Sequence, residues 1–535
     1  MTHGIISAPQ PEAVEAGANA LKAGGNAIDA AIACALVQTA VDPQMCGIAG
    51  FGSMHLYLPK LGKHLLLDFH GRAPLSVKPD MWQDLIEGEA EDGFGFILKG
   101  RVNEVGYQSI TTPMSLRAYA TALERFGTMT ISELIKPAIE YAEGFMVRPH
   151  VSYFWNVVEA AGRVPTIDKF NCCEATRKIY FKPDGSLRKP GEIHPNPDMA
   201  NTYRRIAEHG VDDFYTGGIA RDIVADMEKN GGLITMADLA QARPEETQPI
   251  WGEYRGYKVA TNPPPGGGTM VLEMLNILEN FDLKAMGHDS AQYIATVSEA
   301  MKIATVDKDK HLGDPRFVDV PVAKLIDKAY AKEMADKIKS GVKTNVPRLG
   351  PKATESKDTT QVTVVDEYGN CVSMTHSLGM PSGVVSDGLG FMYNGCMAVF
   401  DPRPGNADSL APGKSRFSAM CPTILFKDDK PFFVVGAPGG TFITMGVLQA
   451  ILNAVDFGMD AQQAVSAPRF CTTSNTIDVS NRILRSVEAE LKAMGYPVRR
   501  TYLSYHFAGV HAVRLTENGW DGGADPGRDG MALAV

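Results

Sequence analysis

The chain has 535 residues, of which 44% are hydrophobic and 21% are charged. This length is enough to bury a large core, and the composition excludes collagen-like, coiled-coil and generally disordered chains. The 52 basic and 62 acidic residues give a net charge of −10. Because Lys and Arg never cluster beyond a pair, neither a nucleic-acid partner nor an anionic membrane surface is expected.

Location and cofactors are predicted from what the sequence lacks. The longest apolar stretch, residues 30–41, is shorter than the roughly 18 residues of a membrane helix. The first four residues have no basic start and no apolar signal core, which favours a cytoplasmic location. The eight Cys residues form no C-x-x-C pair, so we expect no disulfide framework, no metal and no cofactor.

The first elements along the chain are predicted to be helices. Residues 11–22 carry apolar side chains at helical spacing and end at two glycines, and a second helix runs over 26–41. Its dense Ala and Gly content indicates tight packing against a sheet. Residues 56–69 alternate as a strand or hairpin that turns at Gly62.

The middle of the chain, about 110–340, is predicted to be mainly helical, and residues 341–358 form a linker. The helices are predicted at 116–126, 131–144, 219–230, 291–305 and 322–340, with a strand at 256–261 and a further helix from 270. After residue 358 the pattern becomes β, with strands at 359–365, 371–377, 390–398, 422–426, 431–436 and 510–515, and helices at 441–457 and 486–494.

The hairpin that begins at Thr359 has a register that the turn defines. If Asp366 pairs with Asn370, Thr359 lies opposite Ser377, and the side chains divide into two faces. One face is apolar: Val362, Val364, Val372 and Met374. The other is polar: Thr359, Gln361, Thr363, Ser373, Thr375 and Ser377. The pattern alone favours a solvated surface for the polar face, with a lined site as the alternative. His376 falls on the apolar side, which argues against a Thr–His dyad.

Standard catalytic signatures are missing. The sequence contains no G-x-S-x-G, Walker A, H-E-x-x-H or Rossmann motif. The loop Gly266-Gly267-Gly268 could hold an anion, although a tight turn is favoured. A second loop, residues 436–441, could turn the backbone amides of Gly439 and Gly440 towards an oxyanion; the alternative is a simple strand-to-helix turn.

Several specific motifs together resemble the γ-glutamyltranspeptidases. They are Asp358-Thr359-Thr360-Gln361, Val364-Val365-Asp366 with Gly369-Asn370, Pro438-Gly439-Gly440, Ala467-Pro468-Arg469-Phe470, Pro263-Pro264-Pro265, and residues 22–31 and 276–281. The similarity extends from Gly4 to about Pro526.

The resemblance implies an α/β (α+β) fold, the four-layer αββα sandwich of the N-terminal-nucleophile hydrolases. It implies a precursor that cleaves itself between Asp358 and Thr359 into a helix-rich large subunit, 1–358, and a small subunit, 359–535. Thr359 would be the nucleophile, its freed α-amino group the base, and Ser377 the hydroxyl that orients it. Gly439 and Gly440 would form the oxyanion loop.

The substrate-recognition positions depart from the family pattern. The Arg that binds the substrate α-carboxylate is replaced by His70, with Arg72 two residues later. The two residues that recognise the glutamyl ammonium fall at Cys396 and Val399, near Asp401. Two further positions hold Gly379 and Ser418-Ala419. We therefore expect His70, Arg72, Asp401 and Ser418 to be the candidate substrate-binding residues.

The sequence thus predicts an amide hydrolase or acyltransferase whose acyl specificity differs from γ-glutamyl. A genuine γ-glutamyl hydrolase or transpeptidase with substitute residues is the alternative, and an inactive scaffold is a third. The expected partners are a small-molecule amide and the protein's own cleaved subunit, as a heterodimer, with a dimer of heterodimers left open.

Overall fold

Two stacked sheets form the centre of the molecule. The computed structural model describes residues 3–90, 95–157, 162–347 and 358–535. The first sheet has seven strands in the spatial order Met531–Ala534, Gly4–Ala8, Asp358–Asp366, Cys371–Gly379, Phe51–Leu58, Lys63–Phe69 and Glu245–Thr247. The second has six, in the order Gly519–Ala524, His511–Thr516, Lys430–Gly436, Thr423–Lys427, Tyr257–Thr261 and Ile250–Tyr254.

Helices cover the outer faces of both sheets. The helical layer on the first sheet consists of Pro11–Lys22, Ala27–Val41, Ser115–Phe126, Lys136–Glu143 and Pro197–His209. Against the second lie Gly268–Leu278, Ala291–His311, Lys328–Lys339, Ile443–Val455, Ala461–Ser466 and Arg485–Ala493. Ala27–Val41 is buried along its whole length, which explains its Ala-rich sequence. The predicted αββα sandwich is confirmed.

Shorter elements complete the described chain. The remaining helices are Ile131–Leu134, Pro149–Asn156, Thr166–Lys169, Glu174–Tyr180, Asp212–Tyr215, Gly218–Lys229, Met236–Gln241, Leu283–Met286 and Val322–Leu325. The remaining strands are Ile86–Glu89, Phe96–Leu98, Phe145–Met146, Ile193–His194, Pro381–Val385, Met392–Asn394, Phe470–Cys471, Ile477–Ser480 and Val498–Thr501. Across the described ranges, no helix is long and apolar enough to cross a membrane. The cytoplasmic location stays a prediction.

Both sheets mix strands from the two sides of residue 358. Asp358–Asp366 pairs with Gly4–Ala8 on one edge and with Cys371–Gly379 on the other, which in turn pairs with Phe51–Leu58. In the second sheet Tyr257–Thr261 pairs with Thr423–Lys427. Because these ladders join the two segments throughout the core, a cut after Asp358 would leave them associated.

The hairpin of Asp358–Asp366 and Cys371–Gly379, here called the nucleophile hairpin, has the predicted register. Thr360 pairs with His376, and the pairing continues in step to the turn, where the Asp366 amide donates to the Asn370 carbonyl. The solvated-surface interpretation of its polar face is wrong. Ser373 and Thr363 are fully buried and donate to backbone carbonyls of the second sheet. The polar face is therefore the contact between the sheets, and hydrogen bonds across it make burial tolerable.

Several predicted elements differ from those observed. The helix predicted at 131–144 is the two helices Ile131–Leu134 and Lys136–Glu143, and the helix predicted at 291–305 extends to His311. The helix predicted at 322–340 is two helices, since Asp327 caps the second one by accepting from the amides of Ala329 and Tyr330. The strand predicted at 390–398 shortens to Met392–Asn394 and is followed by a 3₁₀ turn. Most of the predicted linker, 348–357, lies outside the described residues.

Candidate active site

Thr359 lies at the start of the nucleophile hairpin, still joined to Asp358. Asp358 pairs with Gly379, whereas Thr360 pairs with His376, so Thr359 stands opposite both Ser377 and Leu378. This is a β-bulge, a feature that re-aims side chains and is common beside active sites. Both Thr359 and Ser377 are buried, at 5% and 0% exposure. The bulge presents the Thr359 hydroxyl to its own upstream carbonyl.

A short chain of hydrogen bonds links the two hydroxyls to the scissile peptide. The Thr359 Oγ1 lies 3.0 Å from Ser377 Oγ and 2.5 Å from the Asp358 carbonyl oxygen. Ser377 also donates to that carbonyl oxygen and accepts from the Gly379 amide at 2.7 Å. One consistent assignment has Thr359 donating to Ser377 and Ser377 donating to the carbonyl. The two hydroxyls, one of them on the predicted nucleophile Thr359, thus meet at the carbonyl of the predicted cleavage site.

The upstream side of the scissile bond has its own support. Gln44 Nε2 donates to Asp358 Oδ1 at 3.0 Å, and Asp358 is only 4% exposed. Arg528 is buried nearby; burial lowers its pKa to about 10, and the negative charges of Asp42 and Asp358 oppose that shift. These contacts hold the Asp358 side chain in one place. Gln44 and Arg528 are not predictable from the sequence, since neither lies in a motif near Thr359.

The glycine loop predicted to bind an oxyanion has a backbone that favours glycine. Gly439 has a backbone φ of +141° and Gly440 a φ of +59°, values that residues other than glycine rarely adopt. A Cβ on Gly439 would come within 2.7 Å of the Ala508 Cα. Gly440 lines the same cavity as Thr359. Gly440 therefore lies beside Thr359, and Gly439 has no room for a side chain.

One small cavity, here called the Thr359 cavity, borders the nucleophile. It has a volume of about 20 Å³ in the uncut chain. Its walls are Thr359, Gly379, Met380, Arg416, Ser418, Ala419, Met420, Gly440 and Ile443. Of the predicted substrate-binding residues only Ser418 is in this wall, where its hydroxyl accepts from the Met420 amide. Arg416 is an addition that the sequence analysis missed.

Arg72 and His70 are not in the wall of the Thr359 cavity. The Arg72 guanidinium is 2.8 Å from Glu245, which also pairs with Arg316. His70 is buried and its Nδ1 lies 2.9 Å from Asp68. Local carboxylates therefore engage both side chains. The structure does not bring Arg72 to the nucleophile in the position predicted for a carboxylate clamp.

Asp401 is also directed elsewhere. Its two oxygens accept from Arg403 at 2.9 and 2.8 Å, and one also accepts from Asn406. It borders a separate cavity of about 390 Å³. Asp401 is not among the described residues of the Thr359 cavity wall, and its carboxylate is held by its own loop, so a role in substrate binding stays a prediction.

The loop at residues 266–268 is a packing turn. Its three amides donate, in order, to the Pro263 carbonyl, the Met420 carbonyl and the Asn262 side chain. The Pro265 carbonyl accepts from the Ser418 amide. The loop thus fixes the segment that carries Ser418 and Met420, and its amides do not point to a free anion.

His376 takes no part in the site. Its ring nitrogens bond to Tyr119 at 2.7 Å and to Gln38 at 2.8 Å on the helical side of the first sheet. Burial lowers its pKa to about 3, so it stays neutral. No group of three or more His, Cys, Asp or Glu within the described ranges is arranged to hold a metal ion.

Comparison with known proteins places this geometry in a family. The family model for gamma-glutamyltranspeptidase matches residues 13–535. The chain is 37% identical to the acylase ACY 1 proenzyme of Pseudomonas sp. (strain SE83), over 100% of this chain and 94% of that protein. It is 35% identical to the glutathione hydrolase proenzyme of Escherichia coli (strain K12), over 87% of this chain and 80% of that protein.

Solved structures agree with the sequence relatives. The cephalosporin acylase from Bacillus halodurans superposes with a TM-score of 0.87 at 30% identity, covering 100% of this chain and 96% of that one. The γ-glutamyltranspeptidase of Helicobacter pylori gives a TM-score of 0.55 at 33% identity, covering 64% of this chain and 92% of that one. With the Thr359–Ser377 pair and the whole-chain match taken together, this protein belongs to the γ-glutamyltranspeptidase family.

Proposed function

We propose that this protein is a self-maturing amide hydrolase that forms an acyl-enzyme on Thr359. The observation that carries the proposal is the contact of both hydroxyls, those of Thr359 and Ser377, with the Asp358 carbonyl. An inactive scaffold would need neither the buried hydroxyl pair nor the strained glycine loop, and burying them without a use carries a cost.

Maturation follows from the uncut geometry. Thr359 Oγ1 attacks the Asp358 carbonyl carbon through a five-membered ring, while Ser377 donates to the carbonyl oxygen. The C–N bond then breaks, the C–O bond remains as an ester, and the hydroxyl proton ends on the Thr359 nitrogen. Water hydrolyses the ester, leaving a carboxylate on residue 358 and a free amine on Thr359. The products are chains 1–358 and 359–535, held together by the shared sheets.

Turnover uses the same atoms in a new role. The α-amino group of Thr359 would titrate near ~7.7–8.0, so part of it is a free base at neutral pH. It takes the hydroxyl proton as Oγ1 attacks the substrate amide, and then passes that proton to the leaving amine. Gly440, which lines the Thr359 cavity, and its neighbour Gly439 would supply backbone amides to the developing oxyanion. Water or another amine then accepts the acyl group.

The acyl specificity is proposed to differ from γ-glutamyl. The relatives similar in sequence include both an acylase and a glutathione hydrolase, so their names alone do not decide between the two kinds of substrate. The local structure favours the acylase side, because Asp401 is held by Arg403 and no acidic side chain is among the described residues that form the wall of the Thr359 cavity. A substrate ammonium would have no carboxylate to meet there. A γ-glutamyl hydrolase that uses other residues is the second candidate.

A panel of amides tests the proposal. Matured enzyme is assayed with p-nitroanilides of γ-glutamyl, glutaryl, neutral aliphatic and aromatic acyl groups, and kcat/KM is compared on one preparation. We expect γ-glutamyl turnover to be weaker than the best of the others. Turnover of γ-glutamyl that matches or exceeds every other amide would overturn the specificity, and no turnover of any amide by fully cleaved protein would overturn the activity.

A further inference from the structure

We propose that Gln10 is a positioning residue for amide hydrolysis, because it holds Thr360 and thereby the freed amino terminus of Thr359. This inference rests on the proposed hydrolysis at Thr359. Gln10 lies on the helical side of the first sheet and not in the Thr359 cavity. It belongs to the segment before the cut, so one product chain would hold the terminus of the other.

Cleavage removes one of the two backbone attachments of Thr359. In the uncut chain Asp358, Thr359 and Thr360 are consecutive residues of one strand. After the cut Thr359 is a chain terminus, and termini are poorly ordered unless other contacts tie them down. The hydroxyl and the amine of Thr359 must nevertheless keep a fixed geometry for catalysis. A side-chain contact of the next residue, Thr360, can supply that tie.

The Thr360 side chain contacts two glutamines on the helical side of the first sheet. Thr360 is fully buried, and its hydroxyl lies 3.2 Å from Gln10 Oε1 and 3.0 Å from Gln38 Nε2. Gln38 belongs to the buried helix Ala27–Val41 and also donates to Gln10 Oε1 at 2.8 Å. These three side chains therefore form a closed set of hydrogen bonds directly behind the nucleophile.

The orientation of the Gln10 amide follows from its second partner. Gln10 Nε2 lies 2.7 Å from Asp42 Oδ2. Burial alone would raise the pKa of Asp42, but the neighbouring His150 outweighs burial, and the pKa is lowered. Because a carboxylate only accepts hydrogen bonds, the amide nitrogen of Gln10 faces Asp42 and its oxygen faces Thr360. Gln10 is thus an acceptor for the Thr360 hydroxyl.

A buried group of charges fixes Asp42 in turn. The same Asp42 oxygen accepts from His150 Nε2 at 2.9 Å, and His150 Nδ1 lies 3.0 Å from Asp529. With a carboxylate at each nitrogen, the imidazole donates from both and is charged. The two carboxylates raise the pKa of His150 despite its burial. The position of Gln10 is therefore set by contacts to both segments of the chain.

Gln10 also has a backbone conformation that is unfavourable for its residue type. Its φ is +63°, in the left-handed region that residues with a Cβ rarely adopt. It precedes the helix Pro11–Lys22 as the N-cap, yet its side chain makes no capping hydrogen bond. Ser, Thr, Asp and Asn are the usual N-caps, and strained residues are concentrated at functional sites. The side chain of this strained residue is used for Asp42 and Thr360 instead.

The simpler alternative is that these hydrogen bonds only satisfy buried polar groups. In that case their loss would lower the stability of the fold and leave turnover by the cleaved enzyme unchanged. The positioning role makes a different prediction, because Thr359 is attached on both sides in the precursor and on one side after the cut. Self-cleavage should change little, whereas kcat of the cleaved enzyme should fall at an unchanged KM.

The test uses variants that preserve the shape of each side chain. Thr360→Val removes the hydroxyl, and Gln10→Met removes the amide. In fully cleaved protein each should lower kcat about 10- to 100-fold for the p-nitroanilide that wild type hydrolyses best, with KM within about threefold. Thr360→Ser keeps the hydroxyl and should retain most of kcat. Because both changes remove one contact, the double variant should lose little more than the larger single loss.

The matched control is Thr363→Val. Thr363 is a buried threonine of the same strand, and its hydroxyl donates to the His511 carbonyl at 3.2 Å. This variant loses a comparable hydrogen bond away from the nucleophile, so it should lower Tm and leave kcat unchanged. If Thr360→Val does not fold, Gln10→Met decides alone.

Hydrogen exchange measures the order of the terminus directly. In cleaved protein the first measurable amides after Thr359 should exchange faster in Gln10→Met than in wild type, while those of Cys371–Gly379 should not change. Wild-type kcat and wild-type exchange in cleaved Gln10→Met, even with a lowered Tm, would overturn the positioning role and leave amide hydrolysis intact. Absence of any turnover by cleaved wild-type protein would instead overturn the proposed function.

Discussion

Ser377 Oγ lies 3.0 Å from Thr359 Oγ1 and also donates to the carbonyl oxygen of Asp358. One side chain thus contacts the nucleophile and polarises the bond that the nucleophile must break. The Gly379 amide donates to this hydroxyl, which would keep it beside Thr359 after cleavage. The proposed maturation and turnover would therefore depend on one shared contact.

Ser377→Ala should slow both self-cleavage and amide hydrolysis. The loss of one well-placed donor in the transition state is expected to cost about ten- to a thousand-fold in each rate. A gel time course and initial-rate assays measure the two effects. Ser373→Ala is the matched control: this buried serine on the same face donates to the Val435 carbonyl, away from the site. If both alanine variants behaved like wild type, the hydrogen-bond chain would have no catalytic role.

Gly439→Ala should abolish most activity. The added Cβ would meet the Ala508 backbone at 2.7 Å while the residue is held at φ +141°, so the oxyanion loop must move. Gly88→Ala is the comparison, because no atom lies within 4 Å of a Cβ there. Steady-state kinetics on matured protein decide the matter. Wild-type kcat in Gly439→Ala would contradict the role given to this loop.

Gln44→Leu should slow self-cleavage and spare turnover. Gln44 touches Asp358, which belongs to the acyl side of the scissile peptide and leaves the reaction once the ester is hydrolysed. The conversion of precursor to two chains is followed over time, and the matured fraction is then assayed. An equal loss in both rates would mean that Gln44 supports the site as a whole.

The nucleophile hairpin was predictable because local chemistry fixes it. Asp366, Gly369 and Asn370 define a turn, and period-two alternation then places Thr359 opposite Ser377. Two features of the hairpin went unforeseen. The β-bulge at Thr359 arises from the pairing of Asp358 with Gly379, and the polar face is buried because the second sheet packs against it.

The substrate side was not predictable in the same way. In the sequence, neither Arg72 nor Asp401 has an evident partner. In the structure Arg72 pairs with Glu245, which is distant in the chain. Asp401 pairs with Arg403 of its own loop. Arg416 lies in an irregular segment that backbone hydrogen bonds join to the 266–268 turn, from Ser418 to Pro265 and from Gly267 to Met420. The one signal in the sequence was its position two residues before Ser418.

Asp408→Asn should stabilise the protein at neutral pH but not in acid. The pKa of Asp408 is raised from 3.8 to about 6 because the carboxyl group is buried. The Phe417 amide and nearby cations lower the pKa but do not cancel the effect of burial. The wild-type contribution to stability is therefore fully present below pH ~3.8 and is lost as the pH rises through ~6. Asn keeps an oxygen for the Phe417 amide and does not titrate. The difference in Tm between variant and wild type should grow from pH 4 to pH 7, and a constant difference would contradict the shift.

Intact-mass spectrometry under denaturing conditions tests the central claim most directly. Freshly purified protein should give two chains, residues 1–358 and 359–535, and a slowly hydrolysed amide should add its acyl mass to the second chain alone, on the peptide that begins with Thr359. Thr359→Ala should remain one chain and acquire no acyl group. A fully active wild-type protein that runs as a single uncut chain would contradict the account.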